Sequence, residues 1–209
     1  MLGIHSVQTI PDRSLKSLSR FLDVLFALAF FRIVEYLPSF TSGHWVQLPH
    51  GLLSLLTSSS ANLVRVVFGL VTISYFWYRK NTLLSLVETS NALFATLVVA
   101  SMAFILLFMY ALAADPMYIG GPPTLLLQSA SFLMASLLGY FSLRYAIHAG
   151  LTPQALRAAA GRMARIDLSN PLTAIVATAL SWSGLTIWTL SWFVLCPLFS
   201  VLLARRRPS

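Results

Sequence analysis

The chain has 209 residues, of which 57% are hydrophobic and only 10% charged. Ordinary soluble domains carry about 45–50% apolar and about 25% charged residues, so this composition excludes a soluble globular enzyme, a disordered tail and a coiled coil. The net charge of +8 points, in so apolar a chain, to cytoplasmic loops rather than to nucleic acid, and at about 20 residues per crossing the length holds five to seven spans and no separate soluble domain.

Residues 1–17 form a polar cytoplasmic tail with Asp12, Arg13 and Lys16. The apolar runs that follow predict an all-α, multi-pass membrane domain over 18–204. Its six transmembrane helices lie near 18–37, 52–78, 83–113, 124–147, 172–184 and 185–204, and residues 205–209 make a basic tail. The last two come from one run of 33 residues, too long for one crossing. Ser181, Trp182, Ser183 and Gly184 break it into a hairpin. A cleaved signal peptide is disfavoured, because Asp23 interrupts its would-be apolar core and the apolar run continues through Phe30 and Phe31. Residues 152–166 read as a short basic helix on the inner surface. Thr152 caps it, Pro153 opens it, and Leu156, Ala160 and Met163 share a face.

The basic residues set the orientation. With six spans and a cytoplasmic N-terminus, the inner segments hold Arg13, Lys16, Arg20, Arg79, Lys80, Arg144, Arg157, Arg162, Arg165 and Arg205–Arg207, twelve of the fourteen Lys and Arg. The outer loops hold none, so both termini are expected in the cytoplasm. Tyr75, Trp77 and Tyr78 read as inner-interface anchors. A short basic chain of this kind suits the cell membrane of a bacterium, as a multi-pass inner-membrane protein.

Charges inside spans are the informative residues, because each costs roughly 2.5–3.5 kcal/mol at mid-bilayer. They are Asp23, Arg32, Glu35, Arg65 and Glu88. Glu35 and Arg65 fall at matched depth on consecutive helices, about 21–23 Å from the inner surface at 1.5 Å per residue. They are expected to pair, with Arg32 one turn away sharing Glu35. Two readings stay open for this group: a structural ion pair, or the lining of a water-filled path. Asp23 is within reach of Arg20 and Lys80. Glu88, about a turn and a half into the third helix beside Thr89, Ser90 and Asn91, is expected to be satisfied by helix–helix hydrogen bonds. Catalytic motifs are lacking: there is no Gly-rich phosphate loop and no serine in a nucleophile setting. His44 and His50 have no Cys or carboxylate beside them, so no metal and no cofactor is expected. The lone Cys196 can form no internal disulfide.

The run Arg20-Phe21-Leu22-Asp23-Val24-Leu25-Phe26-Ala27-Leu28-Ala29 resembles the opening of the transmembrane protein 175 family, potassium-permeable channels with bacterial six-helix relatives. Phe21, Asp23, Phe26, Ala27 and Ala29 fit the family motif, while Leu22 replaces its serine and Ser17 its arginine. Tyr75-Phe76-Trp77-Tyr78-Arg79-Lys80-Asn81 looks like the end of the family's second helix, with Lys80 in place of a histidine. The resemblance covers residues 18–204 in layout. It implies a homotetramer conducting potassium or another small monovalent ion, with the first helix lining the pore. It also implies a helix-packing network of Arg20, Phe21, Asp23, Trp77 and Lys80. Leu28, five positions past the motif Asp, takes the place of the family's hydrophobic constriction, and Phe31 stands where the family has Thr. One helix face then carries Leu25, Leu28, Arg32 and Glu35. Arg32 and Glu35 depart from the family's apolar residues. A cation pore gated by Leu28 and Phe31 follows if they turn away to Arg65, and an altered permeant ion follows if they face the axis. A coupled transporter and a non-conducting accessory subunit are the competing readings.

Overall fold

The computed structural model describes residues 13–34, 60–113 and 122–205, and every regular element among them is helical. The first helix, α1 (Arg13–Val34), shows why. Leu15, Leu18, Leu22, Phe26, Ala29 and Ile33 recur at spacings of three and four and are all buried, between 0 and 9% exposed. That stripe is one face of a 3.6-residue helix. It begins before residue 18, so the helix starts at Arg13 and takes in the end of the expected polar tail, with Arg13, Lys16 and Arg20 on its exposed side.

α2 (Ser60–Ser85) runs past residue 78, so Arg79 and Lys80 are helical residues, not loop residues. α3 (Ala92–Ala113) correspondingly starts later than residue 83. Its start is local chemistry: the Asn91 carboxamide oxygen accepts the Phe94 backbone N–H at 3.0 Å, the bond of a helix N-cap. Glu88 is therefore corrected. It lies exposed in the link between α2 and α3, where its own N–H donates to the Leu151 carbonyl at 2.9 Å. The Asn91 amide also donates to the Tyr145 hydroxyl at 2.8 Å. Asn91→Ala removes both bonds and is expected to lower stability by about 1 kcal/mol, read as a lower unfolding temperature in detergent. An unchanged temperature would mean that the cap contributes nothing.

α4 (Pro122–His148) packs closely along α3. Ser101 donates to the Ala135 carbonyl at 2.7 Å and Gln128 to the Ala111 carbonyl at 3.2 Å, the polar, small-residue contact that lets apolar helices approach. α4 ends in a Schellman motif: Gly150 adopts φ 73 and the Leu151 N–H reaches the Ala146 carbonyl at 2.9 Å. A 3₁₀ turn (Gln154–Leu156) then leads into α5 (Arg157–Asp167). Thr152 does not cap this segment. It is 1% exposed, and its hydroxyl has no hydrogen-bond partner among the described residues. The Leu156 N–H instead closes on the Pro153 carbonyl at 2.9 Å. α6 (Ser169–Ala179), a 3₁₀ turn (Leu180–Trp182) and α7 (Leu185–Arg205) complete the chain, with Gly184 at φ 93 turning it between them.

Cross-links gather one end of the bundle. Ser14 meets Ser90 at 2.6 Å, Asn91 meets Tyr145, and Ser200 lies 2.9 Å from Ser169. The starts of α1, α3 and α6 and the ends of α2, α4 and α7 therefore share that end, together with α5. Phe132 on α4 joins the long helices in the core, 5.1 Å from Phe76, 5.8 Å from Phe108 and 4.4 Å from Trp192 between ring centroids.

Among the described residues two helices, α3 over Ala92–Leu112 and α4 over Pro123–His148, are long and apolar enough to cross a membrane, with mean hydropathies of 2.6 and 1.4. That is a weak indication of membrane association, by length and composition only. The outward face of α7 carries Leu190, Val194 and Val201 at 48–58% exposure.

Candidate functional site

Two carboxylates from different parts of the chain, Asp23 and Asp167, pair with adjacent residues of α2. Consecutive helical residues point about 100° apart, and Arg79 and Lys80 use that angle to reach different neighbours. Lys80 turns to α1, where its ammonium donates to Asp23 Oδ1 at 2.5 Å. The Trp77 indole N–H donates to the same oxygen at 3.3 Å, and the Lys80 ammonium stands 5.7 Å from the centroid of the Phe26 ring. The ammonium side is buried, 6% exposed, while the Asp23 side chain is 50% exposed.

Arg79 turns to the junction of α5 and α6. Its guanidinium pairs with Asp167, whose side chain is 6% exposed. The helix break at Leu168 brings Asp167 and Asn170 onto one turn facing α2. The Tyr75 hydroxyl lies 3.0 Å from Asn170 Oδ1 and 2.7 Å from its Nδ2. Arg79 sits one turn on, donating to that hydroxyl at 3.4 Å and lying 5.7 Å over the Tyr75 ring. From α7 the Cys196 thiol donates to Asn170 Oδ1 at 3.5 Å, and Ser200 lies 2.8 Å from the Cys196 carbonyl. A continuous polar chain thus crosses from α2 through the α5–α6 junction to α7. Buried polar groups are tolerated when they satisfy one another; here Asn170, 0% exposed, is the node.

Between the two ion pairs lies a cavity of about 50 Å³. Leu22 and Phe26 of α1, Arg79 and Lys80 of α2, Ser136 of α4 and Asp167 contribute to its wall. At about 10–15 Å³ per water it has room for a few. Arg79 Nε is buried and has no hydrogen-bond partner among the described residues.

Neither family models nor curated proteins nor solved structures give a match to this chain.

Of the residues singled out in the sequence, the fold brings Asp23, Trp77 and Lys80 together. Arg20 and Phe21 sit on the exposed side of α1, and no hydrogen bond or ion pair joins Arg20 to Asp23. Leu28 and Phe31 face outward at 58% and 64% exposure. Leu25 does not share that face: it packs half-buried against the core, and Val24, at 59%, takes its place in the outward stripe. The Glu35–Arg65 pair and the side chain of Arg32 lie outside the described residues, as do His44 and His50. Among the described residues no group of His, Cys, Asp and Glu could hold a metal ion.

The Arg79 constellation is the part that sequence reasoning misses. Charge pattern alone puts Arg79 in a cytoplasmic loop and makes Tyr75 an interface anchor, although their i, i+4 spacing places them on one helix face. Asp167 and Asn170 show the matching i, i+3 spacing. Their positions beside a helix break are the available signal.

Proposed function

We propose that this chain is a multi-pass cell-membrane protein with six crossings and cytoplasmic termini, and that several copies conduct potassium or another small monovalent cation. Each copy contributes α1 to a central pore. The resemblance to the transmembrane protein 175 family makes the number of copies four. The observation that carries this reading is the outward stripe of α1. Val24, Leu28 and Phe31 recur at i, i+4, i+7 and are the most exposed large apolar side chains of that helix. The buried stripe on the opposite side and the Asp23–Lys80 pair hold them outward. A ring of such side chains makes a narrow apolar constriction that dewets and blocks ions until it widens. We place the path between copies, where this stripe points, while among the described residues Phe94, Phe108, Phe132 and Trp188 pack the core of one copy.

The test is flux from liposomes under a potassium gradient, repeated with sodium and chloride. Potassium flux is expected, and Leu28→Ala should raise it several-fold by widening and wetting the constriction. Equal flux from both proteins would remove Leu28 from the gate. No flux of any ion from folded protein would overturn the conduction reading. The buried chain from Arg79 through Asn170 to Cys196 favours a second reading, an ion- or proton-coupled carrier. Its signature is transport that requires a pH or sodium gradient.

A further inference from the structure

A second opening, with Phe26 between it and the cavity beside Arg79, lies along the α1–α2 contact. It is an open groove of about 290 Å³, approaching the size of a small-ligand pocket. Phe26, Ala27 and Phe30 form its α1 wall, and Ser74 and Trp77 belong to its α2 wall. Asp23 is its one charged residue among the described residues. Ala27 is small at a position where a larger side chain would occupy the groove.

The carboxylate is poised asymmetrically. Lys80 and Trp77 both donate to Oδ1, so Oδ2 keeps its acceptor capacity among the described residues, on a side chain that is 50% exposed. Lys80 itself is buried, 6% exposed. Trp77 remains 48% exposed, with ring surface beside the carboxylate, and Phe30, 46% exposed, offers a second ring further along the groove. Aromatic faces next to a carboxylate oxygen favour a weakly hydrated organic cation, through ring quadrupoles and charge together. A neutral apolar molecule would cover Oδ2 without offering it a donor.

The groove also has direction. Asp23 and Trp77 lie toward the end of the bundle that gathers the basic residues. Phe30 lies two turns further along α1, about 10 Å at 1.5 Å per residue. From these observations we infer that the groove binds a primary or quaternary ammonium carried on an apolar body, its charge at Asp23 and its body along Ala27 and Phe30. Two sources share this chemistry: a free amphiphilic amine and the ammonium headgroup of a membrane lipid. The site is independent of conduction. Flux without binding would overturn only this site, and binding without flux would overturn only the pore.

The experiment is calorimetric titration of the full-length protein in a maltoside detergent with benzyltrimethylammonium, using benzyl alcohol as the neutral aromatic control. Saturable binding of one cation per chain is expected, with the alcohol at least tenfold weaker. Asp23→Asn should weaken the cation at least tenfold, but that variant also strips Lys80 of its partner. Ala27→Phe fills the groove and leaves Asp23, Lys80 and Trp77 in place, and it should abolish binding in protein that still folds. No saturable binding, equal binding by Ala27→Phe, or equal binding of the alcohol would overturn the site. Repeating the titration in phosphatidylglycerol nanodiscs with and without phosphatidylethanolamine separates the sources. Competition by the added lipid assigns the site to a headgroup amine, and an unchanged affinity assigns it to a free amine.

Discussion

Asp167→Asn is expected to destabilise the folded protein by about 3–5 kcal/mol, the range for breaking a buried ion pair by removing one partner. The size follows from burial. Asp167 and Arg79 have side chains only 6% and 13% exposed, so the guanidinium left behind recovers little of its hydration, at most from the few waters the adjoining cavity can hold. Arg79 also donates to the Tyr75 hydroxyl, and that hydroxyl is held by Asn170, so the loss spreads to the contact of α2 with α6. The double variant Arg79→Met, Asp167→Leu removes both charges and should recover most of the loss, because two well-packed apolar groups replace a pair whose attraction was offset by desolvation. Unfolding in detergent, followed for both single variants and the double, gives the coupling energy. A coupling of about 2 kcal/mol or more is expected for groups in direct contact. Simple additivity would show that the two charges act independently.

Legibility in the sequence divides along the same line, between local pattern and distant pairing. The all-helical fold is legible because apolar residues repeat with helical period: Leu22, Phe26, Ala29 and Ile33 form a stripe by spacing alone, and all are buried on α1. The break near Ser183–Gly184 is also marked by its polar and flexible residues. Helix ends are less legible. Glu88, Thr89, Ser90 and Asn91 look like polar residues within a helix until Asn91 is recognised as a cap for Phe94. The bases at 79 and 80 look like a cytoplasmic loop because bases commonly flank a crossing. Their carboxylates lie 88 and 57 residues away along the chain. Depth along consecutive helices puts Lys80 within reach of Asp23, but no local pattern carries the pairing of Arg79 with Asp167, which the packing of α2 against the α5–α6 junction decides. Asp23 is reachable because it stands in the family-like motif. Asp167 has no such marker.

The Asp23–Lys80 pair should respond unequally to loss of its two members. Lys80 is the buried partner, while half of the Asp23 side chain is exposed. Asp23→Asn leaves the buried ammonium, 5.7 Å from the centroid of the Phe26 ring, without its partner carboxylate, and an expected loss of about 3 kcal/mol follows. Lys80→Met leaves a carboxylate that water can still reach and that keeps the Trp77 indole as a donor. Its loss should be about 1 kcal/mol or less, in the range of exposed ion pairs. The methionine also fills the space of the lysine stem beside the Phe26 ring. Thermal unfolding of the two variants in the same detergent compares them directly. If Lys80→Met were the more damaging of the two, the ammonium would have to be the better solvated partner, contrary to its burial. The order also bears on α1. This pair links α1 to α2, so on the conduction proposed above Asp23→Asn should disturb flux more than Lys80→Met wherever both proteins remain folded.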